Sequence, residues 1–163
     1  MYEEHFLRRA IALSCTAIDR PGTEPFAAVV VKDRAIIGEG LNHAAARFDP
    51  TAHGETEAIR DACRRLGRLS LAGCDLYTSC EPCALCVAAI RIAGIETVYF
   101  AASLAASEQA LAGLPRPGDV AALRADCAVP IGQGSITAAQ ALEAEALPAI
   151  TAWAAQARRG ARG

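Results

Sequence analysis

The chain has 163 residues, 53% of them apolar, with 18 acidic against 16 basic side chains and a formal net charge of −2. This balance excludes a disordered chain and gives no electrostatic case for binding nucleic acid through overall charge. The length suits one domain, residues 1–163, with a real core.

The opening residues mix Glu3, Glu4, Arg8 and Arg9 with apolar neighbours, and no stretch is long enough to span a bilayer, so a soluble cytoplasmic protein is expected. Residues 2–19 place Phe6, Ala10, Leu13 and Ala17 at helical spacing, and Pro21-Gly22 ends that helix. Phe26 to Val31 and Ala35 to Gly40 flank Asp33-Arg34 and read as a hairpin of two buried strands. Residues 42–50 are a loop. A helix is expected from Ala52 to Leu66, closed by Gly67. A third strand follows over Cys74 to Ser79, a helix from Pro82 to Ala93, and a fourth strand over Glu96 to Ala101. Strand–helix–strand crossings argue for parallel pairing on that side of the sheet. Residues 102–119 hold the Pro115-Arg116-Pro117-Gly118 turn cluster, and Cys127 to Ile131 reads as a fifth strand. Ala138 to Glu145 and Pro148 to Ala157 read as two helical pieces, and residues 158–163 as a basic, fraying tail. The fold expected is a three-layer α/β/α sandwich around a five-stranded mixed sheet.

Two short segments carry the chemistry. Thr51-Ala52-His53-Gly54-Glu55 supplies a histidine with a glutamate two residues on. Ser79-Cys80-Glu81-Pro82-Cys83-Ala84-Leu85-Cys86 supplies a Pro-Cys-x-x-Cys. His53, Cys83 and Cys86 make three ligands for one tetrahedral zinc, with the fourth position open to water and Glu55 beside it. Both segments fall where helices begin, and a helix N-terminus favours the thiolate. Glu55 is then placed to act as a proton shuttle for the water at that position.

Duller readings stand beside these. A Cys-x-x-Cys also serves redox sites and zinc ribbons, and Cys80, Cys83 and Cys86 begin an iron–sulfur spacing whose fourth cysteine is missing. Cys80 is expected to end its strand and pack behind the metal. Seven cysteines without a secretion signal favour metal or catalytic use over disulfides. Cys15, Cys63, Cys74 and Cys127 read as small buried hydrophobes. Glu57 and Glu81 read as surface or capping carboxylates, His5 as a solvated helix residue, and His43 as a loop residue that is a candidate for lining the pocket.

The His-x-Glu and Pro-Cys-x-x-Cys pattern resembles the cytidine deaminase-like superfamily of zinc deaminases, and Leu76 to Cys83 with Asp49 to His53 resembles its guanine deaminase branch. The resemblance runs from Pro25-Phe26 to about Ala101, and more loosely over Leu147 to Trp153. It implies the sandwich fold, one zinc per chain, a homodimer and hydrolytic deamination of a free nucleobase, guanine before cytosine or 5-azacytosine. It also implies that Asn42 hydrogen-bonds the base, that Phe26 lies near it, and that a second carboxylate helps, with Asp119 the first candidate and Glu108 the other. Two departures from the pattern bear on substrate: Gly54 stands where alanine is usual, as in fungal-type cytosine deaminases, and Ala27 stands where glycine is usual. The branch also closes its pocket with a partner's C-terminal segment, often ending in an aromatic; here Trp153 is the only late aromatic. Two other classes compete. A tRNA adenosine deaminase needs a basic surface, and Arg64, Arg65, Arg68 and the tail arginines make only a thin one. A non-catalytic zinc scaffold would have no use for Glu55.

Overall fold

A computed structural model describes residues 1–114 and 120–160. They fall into two compact units, Met1–Val120 and Ala121–Gly163. The first unit opens with α1 (Glu4–Cys15), which tightens into a 3₁₀ turn over Thr16–Asp19. Strands β1 (Glu24–Lys32) and β2 (Ala35–Asn42) form the expected hairpin. Asp33 and Arg34 both take positive φ (49° and 62°), as a two-residue turn matched to strand twist demands.

A short helix α2 (Ala44–Arg47) interrupts the expected loop, and α3 (Gly54–Leu66) follows. Then come β3 (Asp75–Cys80), α4 (Ala84–Ala93), β4 (Thr97–Ala102) and α5 (Leu104–Ala110). The strands lie in the order β2-β1-β3-β4. β1 is antiparallel to both neighbours, whereas β3 and β4, joined through α4, are parallel as expected.

Alternation along the strands divides the core between two faces. Ala28, Val30 and Leu76 pack on Ala58 and Ala62 of α3 and on Ile90 and Ala93 of α4. Val29, Val31 and Tyr77 pack on Phe6 of α1. Helices therefore cover both faces of the sheet, which is the expected three-layer arrangement.

The sheet has four strands among the described residues, not five. Cys127 ends a helix, α6 (Val120–Cys127), and the stretch after it is irregular, with Val129 and Ile131 exposed. Pro130 sits in the middle of that stretch and has no N–H to offer a ladder. The two late helical pieces are one helix, α7 (Glu143–Gly160), which runs through Pro148 and carries Arg158 and Arg159 in its last turn instead of in a frayed tail. Cys15 and Cys127 are exposed, not buried as expected, because each lies at the C-terminal end of a helix; Cys74 is buried and Cys63 half-buried.

Glu57 is also no surface carboxylate. It is 6% exposed and receives Arg60 at 2.6 Å and Arg47 on its other oxygen. Arg47 belongs to α2, so the pair ties the segment carrying Asn42 and His43 to the first turns of α3. Burial alone would raise the Glu57 carboxyl; Arg60 and Arg47 outweigh burial and hold it below the usual carboxylate range. A depressed folded-state pKa contributes stability above the unfolded value, about 4.3 for glutamate, and that stability fades as pH falls through the folded value. Glu57→Gln is expected to cost about 2 kcal/mol at pH 7, with the deficit shrinking below about pH 4. Urea unfolding of both proteins at pH 7 and at about pH 3 checks this; an equal deficit at both would assign the loss to packing.

Candidate active site

Two helices supply the site. His53 is the N-cap residue of α3 and Cys83 that of α4, both with extended backbone, and neither side chain bonds back to its own helix. N-caps favour Ser, Thr, Asp or Asn because those side chains satisfy free N–H groups. His53 and Cys83 forgo that role and turn toward each other. Cys86 lies three residues beyond Cys83, so the two thiols hold the paired positions of a capping box. The sequence reading placed His53 and Cys83 inside their helices; both stand one step before the first helical residue.

The three ligand atoms form a small triangle. His53 Nδ1 lies 3.6 Å from Cys83 Sγ and 3.5 Å from Cys86 Sγ, and the sulfurs are 3.7 Å apart. A tetrahedral zinc with its usual Zn–S and Zn–N bond lengths requires edges of about 3.6 Å for S···N and about 3.8 Å for S···S. The donor set and its spacing therefore fit zinc. No fourth His, Cys, Asp or Glu joins the cluster among the described residues.

The thiols titrate as a coupled pair. The hydrogen bond from Cys86, with His53 beside it, lowers Cys83 to about 4 against the opposing effect of burial. That negative charge, together with burial and Glu55, pushes the Cys86 thiol up. His53 is raised, mainly by its hydrogen bond to Cys83. His53, Cys83 and Cys86 would hold a divalent cation with both sulfurs as thiolates, since metal binding favours the deprotonated ligand.

Glu55 is 4% exposed. Its Oε2 lies 3.4 Å from Cys86 Sγ, and its Oε1 lies 3.4 Å from the hydroxyl of Thr78 on β3. Burial raises its pKa, which suits a group that has to accept and return a proton near neutral pH. Thr78 was not singled out from the sequence; the signal available was the polar pair Thr78-Ser79 in a buried strand.

Asn42 ends β2 and is buried. Its Oδ1 accepts from the Ala44 N–H at 2.9 Å, and its Nδ2 donates to Glu24 at 3.2 Å. His43 Nδ1 lies 2.7 Å from the Leu41 carbonyl, and the His43 N–H donates to Ala52 beside His53. Phe26 is half-buried on β1. Cys80 ends β3, buried as expected, and Glu81 caps α5 by accepting from the Leu104 N–H at 3.0 Å. His5 is exposed on α1, against Phe6. Glu108 is exposed on α5, and Asp119 lies outside the described residues.

Gly54 has a different role from the one its sequence context gave it. A Cβ there would lie 2.6 Å from the Phe26 carbonyl oxygen and 2.8 Å from Ala27 Cα, so it faces the β1 backbone and not a substrate pocket. Gly40 meets the Gly54 carbonyl and the Ala58 nitrogen as closely, and Gly38 meets Ala58 and Ala62. The start of α3 thus rests backbone-to-backbone on the hairpin. Ala27 packs its methyl on the opposite face, fully buried with Ala17 and Leu41, which keeps β1 from retreating. Gly54 thus answers a packing demand between α3 and β1 and does not by itself point to cytosine.

An open three-ligand centre with a buried carboxylate against it is the site of a hydrolytic zinc protein. The chain belongs to the cytidine and deoxycytidylate deaminase zinc-binding region family, which matches residues 1–102. It is 50% identical over 102 residues to guanine deaminase from Bacillus subtilis, covering 63% of this chain and 65% of that protein, just under two thirds of its length. The crystal structure of the Bacillus subtilis guanine deaminase superposes with a TM-score of 0.82 at 39% identity, covering 94% of each chain. A tRNA-specific adenosine deaminase from Aquifex aeolicus is 41% identical over 102 residues, 63% of this chain and 67% of that protein.

Gly54→Ala is expected to destabilise the fold by about 1–3 kcal/mol and to lower zinc content below one per chain, with Ala27→Gly recovering part of both. Thermal unfolding and metal analysis of the single and double variants check this. Full zinc and an unchanged midpoint in Gly54→Ala would show slack where the backbones meet.

Proposed function

We propose that the chain is a zinc-dependent aminohydrolase that deaminates a free nucleobase, with guanine converted to xanthine as the favoured reaction. The observation that carries the reading is the gathering of His53, Cys83 and Cys86 around one point with Glu55 against them, all within residues 1–102 that match the deaminase zinc-binding family, in a chain half identical over 102 residues to a guanine deaminase. Similarity to that enzyme's structure over nearly the whole chain supports treating residues 1–163 as one deaminase domain.

His53, Cys83 and Cys86 hold the metal. Zinc supplies Lewis acidity that makes water nucleophilic near neutral pH. Glu55 takes the proton of the attacking water as oxygen bonds to the ring carbon bearing the amino group. The same carboxyl then protonates the adjacent ring nitrogen and, last, the departing amine, which leaves as ammonia. Thr78 steadies Glu55 through Oε1, leaving Oε2 on the Cys86 side for this traffic. Asn42 binds the base edge, Phe26 offers it an aromatic flank, and Asp119 remains the candidate for an assisting carboxylate.

A tRNA adenosine substrate is the second reading, favoured by the Aquifex relative. Against it stand the net charge of −2 and the engagement of Arg8, Arg9, Arg34, Arg47, Arg60 and Arg65 with carboxylates, which thins any cationic surface. A homodimer also belongs to this reading. β4 lies at the sheet edge, and Phe100 on it and Ile92 on α4 are 47% and 87% exposed, apolar surface that a second copy would cover. All seven cysteines are free, which fits a cytoplasmic location.

Ammonia release from guanine, cytosine, 5-azacytosine and adenine is the test. Guanine is expected to show the highest kcat/KM, and Glu55→Gln to keep its zinc while losing about a hundred- to ten-thousand-fold in kcat. A preference for cytosine or 5-azacytosine would move the substrate. Near wild-type turnover in Glu55→Gln would give the shuttle to another group. A monomer mass by light scattering at micromolar concentration would remove the dimer.

A further inference from the structure

The amide of Asn42 cannot meet a substrate with both of its halves equally. The Ala44 N–H is a donor, so the Asn42 atom facing it is Oδ1, and this fixes the amide's orientation. Nδ2 therefore faces Glu24, whose Oε2 accepts from it at 3.2 Å. The arrangement is built into the hairpin: Glu24 on β1 is the register partner of Asn42 on β2. Asn42 has an N–H left over on Nδ2 for a substrate carbonyl. Glu24 is exposed, and its Oε1 remains beside that N–H as an acceptor. Both lie next to the metal ligands, because Asn42 leads into His43, whose N–H holds the Ala52 carbonyl one residue before His53.

Resting on the nucleobase reading above, we propose that Glu24 is a substrate-binding residue, the acceptor half of a pair with Asn42 that recognises a ring C(=O)–N–H edge. The ligand class is an amino-substituted heterocycle with a lactam group. Guanine and cytosine carry that edge. Adenine does not, since it offers a bare ring nitrogen where the pair requires an N–H donor. Glu24 thereby supplies the acceptor of the pair, and it selects against adenine whatever the surface charge of the protein.

Glu24→Gln reverses the pattern, because a glutamine whose oxygen takes the Asn42 N–H turns its own NH₂ toward the substrate. The expected result is a rise in KM of roughly ten- to a hundredfold for guanine, a smaller change in kcat, unchanged zinc content, and a shift of the guanine-to-adenine kcat/KM ratio toward adenine. Glu24→Ala, which removes the acceptor without adding a donor, should show the rise in KM with no gain for adenine. Unchanged KM values in both variants would overturn the proposal. So would an equal loss on every base, or a loss of zinc, either of which would assign Glu24 a structural role. Should the wild type prefer cytosine to guanine, the guanine reading fails, and the assignment of Glu24 stands if the same variants raise KM for cytosine. A wild type that prefers adenine overturns both.

Discussion

The backbone contact between the first turn of α3 and the β1–β2 hairpin governs the rest of the site. Glycines at positions 38, 40 and 54 let a helix approach strands at distances no Cβ would allow. That approach fixes His53 as N-cap and drops Glu55 into the core, where burial raises its pKa. Once α3 is seated, α4 follows against it through the shared cluster of Ala58, Ala62, Ile90 and Ala93. The two N-termini then present three ligand atoms at distances suited to one metal. The metal triangle is a consequence of packing as much as of ligand choice.

The same segment is braced by hydrogen bonds and ion pairs. Asp49 accepts from both the N–H and the hydroxyl of Thr51, at 2.8 and 2.6 Å, and turns the chain toward His53. Glu57, with Arg47 and Arg60, closes the loop from the other side. Asn42 and Glu24 sit where this braced loop leaves the sheet. The metal triangle, Glu55 and Asn42 thus hang on one braced frame, which is how a site keeps its groups in position without spending binding energy on order.

Much of this was legible in the sequence. The ligands and Glu55 were readable because zinc chemistry demands particular residue types at fixed spacing. The helices and first four strands were readable because their apolar periods are strong and their stops, Gly67 and Gly94, take the left-handed conformation at helix ends. The failures have physical causes. Val129 and Ile131 looked like a strand, but Pro130 removes the ladder donor. α5 was missed because Leu104 to Ala110 has no clear apolar stripe, although Ser103 caps it through the Ala106 N–H. Glu57 reads as a surface residue because its partner Arg47 lies ten residues earlier, in the short helix α2 that the sequence does not signal. Gly54 looked like a pocket residue because only coordinates show that its missing methyl faces β1. The direction of the Asn42 amide depends on one backbone N–H, which no spacing rule reveals.

The central claim is an open zinc centre with two sulfurs and one imidazole from this chain. X-ray absorption at the zinc edge of the purified protein tests it most directly. Two sulfurs at about 2.3 Å and two lighter scatterers at about 2.0 Å are expected, one of them an imidazole nitrogen and the other a solvent oxygen. A shell of three sulfurs, which would recruit Cys80, or a shell with no sulfur at all, would contradict it.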